Sequence, residues 1–108
     1  MSNKKTTKEI PSKVSKIRRR IILNEIFNVK LNYPFEIYRL AVEFQLTGFI
    51  KSIDNNSFEI EIEGDTIFAE SFLNKLTAHF KESSAHISIN QMDEILNYNE
   101  FRIINHKI

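Results

Sequence analysis

The chain has 108 residues, 42% of them hydrophobic, with 15 Lys and Arg against 14 Asp and Glu and no Cys. These figures suit one small domain with a modest core, and they exclude disulfides and Cys-based zinc sites. No apolar run approaches the ~18 residues that span a bilayer, and the opening M-S-N-K-K-T-T-K lacks the apolar stretch of a secretory signal, so a soluble, cytoplasmic protein is expected.

The net charge of +1 conceals a division along the chain. Lys4, Lys5, Lys8, Lys13, Lys16, Arg18, Arg19 and Arg20 stand against Glu9 alone, giving +7 over the first 20 residues, while the remainder carries −6. A basic arm on an acidic body has two readings. It associates with nucleic acid or an anionic surface, or it is a solvated tail that folds back on its own acidic face. Residues 1–18 are polar, contain Pro11 and show no sustained period. They read as a disordered tail ahead of a domain over residues 19–108.

Residues 18–29 are strand-like, with Ile21, Leu23, Phe27 and Val29 on one phase and Ile22 and Ile26 on the other, as suits a central strand. After a loop at 30–32, residues 33–48 read as an amphipathic helix running into a strand. Ile37, Leu40, Ala41 and Phe44 fall at offsets 0, 3, 4 and 7, one apolar stripe, and Glu36, Arg39 and Glu43 occupy the outer face, where Arg39 can pair with either acid. Asn32 suits the N-cap, and Pro34 fits a first turn whose N–H groups lack helical partners.

Residues 49–53 and 57–63 form a hairpin around Asp54-Asn55-Asn56, where Asn tolerates the positive φ of a tight turn. In its second strand Phe58, Ile60 and Ile62 alternate with Glu59, Glu61 and Glu63, which predicts one buried face and one wet face. Lys51, across the hairpin, can neutralise part of the acidic row. Gly64-Asp65 opens a second helix over 66–82, capped by Asp65 or Thr66, with Ala69, Phe72, Leu73, Leu76 and Phe80 on one stripe. His79 and Lys81 suit the negative end of its dipole. Residues 86–90 are a fourth strand, 91–99 a connection with room for a helical turn, and 100–104 a final strand. The order β-α-β-β-α-β plus a short terminal strand predicts an α+β, ferredoxin-like sandwich, with two helices packed on one face of an antiparallel sheet.

The run Y-R-L-A-V-E-F-Q-L-T-G-F-I-K-S-I-D-N-N-S-F-E-I-E-I-E-G-D over residues 38–65 resembles the acylphosphatase stretch whose first helix ends A-x-x-L-G-L-x-G-W-V-x-N. The F-R-I of residues 101–103 is similar to the family's last strand. The Y-R-L-A segment resembles in particular the acylphosphatase-type domain at the N-terminus of hydrogenase-maturation carbamoyltransferases. The resemblance implies a metal-free hydrolysis of acyl phosphates, with a loop G-x-V-Q-G-V-x-F-R wrapping N–H groups and an arginine around phosphate while an asparagine orients water.

Counting from Gly48, the arginine's place falls on Pro34 and the asparagine's on Ser52. The loop reads Ile26-Phe27-Asn28-Val29-Lys30-Leu31-Asn32-Tyr33, without glycine, and Gln45 replaces the glycine that ends the helix, a strain expressed in φ. No catalytic residue is therefore assigned. The candidates for an anion-binding loop are Lys30, Leu31, Asn32, Tyr33 and Ser52, and Arg39 points elsewhere, about 140° around the helix from Pro34.

His79, His86 and His106 share no metal-ligand spacing, the Glu59/Glu61/Glu63 row reads as a sheet face rather than a cation site, and no metal or cofactor is expected. The chain also lacks the K/R-G-F motif and aromatic platform of RNA-recognition domains, and its nine Phe read as core. These residues predict an acylphosphatase-like domain without catalysis, serving to bind a protein or small-molecule partner, with a homodimer through an edge strand as one form and no membrane. The alternatives are a divergent acylphosphatase and nucleic-acid association through the basic arm.

Overall fold

Apolar and acidic residues alternate along one strand, and that alternation fixes the centre of the sheet. In the computed structural model, which describes residues 15–24, 33–54, 57–80 and 86–104, the elements run β1 (Lys16–Asn24), α1 (Tyr33–Glu43), β2 (Thr47–Asp54), β3 (Ser57–Asp65), α2 (Thr66–Phe80), β4 (His86–Met92) and β5 (Phe101–Ile104). The sheet order is β4-β1-β3-β2-β5, with β3 at the middle. The first four strands pair antiparallel, as expected, and β5 adds to β2 in parallel, so the sheet is mixed. Both helices lie on one face, α1 over β2 and β5 and α2 over β3 and β1.

Under the helices lies a core of Ile21, Leu23, Ile50, Ile60 and Ile62 from the strands and Ile37, Ala41, Ala69, Phe72 and Leu76 from the helices. The stripe expected of α1 is all engaged, with Ile37 and Ala41 buried and Leu40 and Phe44 packed against the core. The Asp65 side chain caps α2 by accepting the Ile67 N–H at 3.2 Å. Arg39 lies over the Phe35 ring, 5.9 Å from its centroid.

Helix α1 ends as the missing glycine predicts. Gln45 takes φ 60°, the Gln45 N–H donates to the Val42 carbonyl at 2.9 Å, and the Leu46 N–H donates to the Ala41 carbonyl at 2.9 Å. That pair of bonds is the Schellman closure, here carried by a residue with a Cβ. Gly48 is needed for a different reason: a Cβ there would stand 2.0 Å from the Glu61 carbonyl oxygen.

Three expectations change. Strand β1 begins at Lys16, so Lys16 and Ile17 join Arg18 in the sheet, while residues 25–29 of the expected strand, Phe27 and Val29 among them, lie outside the described residues. Strand β4 extends to Met92, and residues 93–98 then run without a helical turn. The acidic face of β3 is not wet: Glu61 and Glu63 are 6% and 1% exposed. Residues 93–100 cross that face as a strap on their way to β5. Alternation shows that a face is polar, and a polar face can still be covered when each carboxylate meets a donor.

Candidate functional site

The first turn of α1, the end of β2 and strand β5 enclose a cleft of about 280 Å³, lined by Pro34, Phe35, Ile50, Lys51, Ser52, Ile103 and Ile104. A register shift between Ser52 and Asp54 bends β2 at its lip. Strand alternation turns Ile50 and Ser52 toward α1 and sends the Lys51 ammonium to the opposite face, where it lies 3.6 Å from the Glu59 carboxylate. By the same alternation Ile103 shares the Ile50 face and Ile104 the Lys51 face, so the lining side chains on the helix side are Pro34, Phe35, Ile50 and Ile103 with the exposed Ser52.

Tyr33, one residue before Pro34, is buried on another side of the helix. Its ring packs 5.3 Å from Phe80 and 6.2 Å from His79, in a smaller groove between α1 and α2. The structure thus brings Pro34 and Ser52 together and keeps Tyr33 apart from them. Lys30, Leu31, Asn32 and His106 lie outside the described residues.

Charge is concentrated on the far face of the sheet. Arg18 Nε donates to Glu61 Oε1 at 3.0 Å and its Nη1 to the Glu94 carbonyl at 3.1 Å; Arg20 Nε donates to Glu59 Oε2 at 2.7 Å. The Tyr98 hydroxyl donates to Glu61 at 2.6 Å. Burial pushes the Tyr98 phenol up to about 12, helped by its hydrogen bond to the charged Glu61. For Arg18, burial opposes the charge, but the Glu61 hydrogen bond and charge outweigh it and the pKa is raised. Lys16 donates to Asn97 Oδ1 at 3.2 Å and Arg19 to the Arg18 carbonyl at 3.0 Å. Of the four described cations of the basic arm, Arg18 and Arg20 meet carboxylates, Lys16 meets an amide oxygen and Arg19 a main-chain carbonyl; Lys4, Lys5, Lys8 and Lys13 lie outside the described residues. Among the described residues no cluster of three or more His, Asp or Glu could hold a metal, and no helix is long and apolar enough to cross a membrane.

The sequence profile of the Acylphosphatase family matches residues 30–103. This chain belongs to the acylphosphatase family. The acylphosphatase of Bacillus subtilis superposes with a TM-score of 0.69 at 21% identity, covering 82% of this chain and 98% of that one. The acylphosphatase of Coxiella burnetii gives 0.69 at 14% identity, covering 87% and 100%. Full-length HypF in its phosphate- and nucleotide-bound form gives 0.66 at 20% identity, covering 86% of this chain but only 13% of HypF. Among curated proteins none matches by sequence. Pro34 and Ser52, the two residues reached by counting from Gly48, line one cleft.

Sequence reasoning missed that Phe35 and the β5 residues Ile103 and Ile104 line the cleft. A trace was present: the last strand, E-F-R-I-I, ends on two adjacent apolar residues, one of which had to face away from the core. It also missed the pairing of Arg18 and Arg20 with the acidic row, because nothing local joins residues about forty positions apart.

Proposed function

We propose that this acylphosphatase-family domain is a binding module rather than a hydrolase of acyl phosphates. The carrying observation is the cleft itself, in which Pro34 and Ser52 stand with Phe35, Ile50 and Ile103 while the Lys51 ammonium is drawn to Glu59 on the opposite face. Proline supplies neither a cation nor an N–H at the start of α1, the place otherwise best suited to an anion. Serine offers one hydroxyl where a planar amide would hold water by two groups. Removing one preorganised donor from such a site lowers rates by about 10²–10³, and here two positions differ. The cleft suits an apolar group better than a phosphate. Exposed Phe35 and Ile103 extend it to the open edge of β5, where a partner strand or a second copy of the chain can add.

The rival reading is a divergent acylphosphatase that uses Ser52 with Lys30, favoured by the exposed hydroxyl at the lip. Hydrolysis of benzoyl phosphate separates the two. A binding module gives the buffer rate; turnover that disappears in Ser52→Ala or Lys30→Ala overturns the proposal.

A further inference from the structure

The strap between β4 and β5 is fastened to the sheet by a side chain that makes no use of the cation nearest to it in the ladder. Glu63 is 1% exposed. Its register partner on β1 is Arg18, yet that guanidinium is directed to Glu61 and the Glu94 carbonyl. The Glu63 carboxylate instead accepts two main-chain bonds, one oxygen from the Leu96 N–H and the other from the Tyr98 N–H at 2.9 Å. Between those donors Asn97 takes φ 58°, the left-handed conformation. Here the N–H groups on either side of a left-handed residue converge on one carboxylate, as successive N–H groups converge on an anion in a backbone nest.

We infer that Glu63 is a positioning residue: a built-in anion that fills a backbone nest at residues 96–98 and so sets β5, the outer wall of the cleft, in register beside β2. Strand β5 is four residues long and, among the described residues, pairs only with β2. A parallel edge of that length has little of its own to hold it in place. Three residues after Tyr98, Phe101 enters the core opposite Gly48, and the Gly48 N–H donates to the Glu100 carbonyl at 3.0 Å. Fixing 96 and 98 therefore leaves almost no slack in where β5 begins. The charge is required because both oxygens must accept; an amide in the same place turns an N–H donor toward another N–H. This inference stands whatever the cleft binds.

Amide hydrogen exchange on the full chain tests it. In Glu63→Gln, exchange at Leu96, Tyr98 and β5 is expected to accelerate roughly tenfold or more, with α2 at its wild-type rate. Asn97→Val, which opposes the left-handed turn from the strap's side and gives up the Asn97 bond to Lys16, gives the same pattern, while Asn97→Ala, which gives up that bond with less opposition to the turn, gives a smaller one. In Glu63→Ala, formate, the smallest carboxylate, restores protection of the strap where chloride at equal strength does not. Wild-type exchange in Glu63→Gln, a loss shared equally by α2, or no advantage of formate over chloride each overturns the inference.

Discussion

The two sides of this sheet handle charge in opposite ways. On the strap side, Arg18, Arg20, Glu59, Glu61 and Glu63 are buried or half-buried and matched by one another, by Tyr98 and by main-chain N–H groups. On the helix side, the cleft between α1 and β5 presents hydrocarbon and a single hydroxyl at the positions where the family resemblance leads one to look for an anion site. Buried charge in a domain of this family is thus not by itself a sign of the binding site. Here the charges fasten a strap, and the open cleft is the less polar of the two regions.

The contrast breaks first if the helix side does not supply the cohesion. Phe72 is fully buried between α2 and the sheet, so Phe72→Ala is expected to lower the unfolding free energy by about 3–5 kcal/mol in urea titration. The strap side responds differently. Arg18→Met alone leaves Glu61 buried without its cation and is expected to cost about 3–5 kcal/mol, whereas Arg18→Met with Glu61→Met recovers at least half of that loss. If single and double variants are equally destabilised, the pair is not a matched unit.

A smaller effect tests the helix exit that sets the near side of the sheet. Gln45 holds φ 60° against its Cβ, so Gln45→Gly is expected to raise stability by about 0.5–1 kcal/mol, read as a shift of the urea midpoint at constant slope. A further test lies in alkali. Tyr98 keeps its proton to about pH 12 in the folded chain, against about 10 for a free phenol. Between those values the unfolded chain binds fewer protons than the folded one, so stability contributed by Tyr98 falls as pH rises. Tyr98→Phe removes that portion of the slope, and an unchanged slope would mean that burial and the Glu61 hydrogen bond do not hold the phenol protonated.

Much of the scaffold was legible because its signals are local. The Phe58/Ile60/Ile62 alternation, the stripes Ile37–Leu40–Ala41–Phe44 and Ala69–Phe72–Leu76–Phe80, and the Asp65 cap each follow from spacing within one element, and the Gln45 strain from one absent glycine. The Lys51–Glu59 pair was legible too, since a hairpin fixes its own register. What failed was long-range. Period 2 cannot say whether the second face meets water or a strap, and the strap's pattern carries no period at all. For the site, counting from Gly48 led to two residues that do share a cleft, but the wall contributed by β5 depends on a parallel pairing no local signal encodes.

Titration of the full chain with inorganic phosphate, followed by amide NMR, tests the central claim most directly. An apolar cleft predicts that the Phe35 and Ser52 amides shift no more than surface amides elsewhere and do not saturate. Saturating shifts at both, abolished by Ser52→Ala or Lys30→Ala, would contradict it.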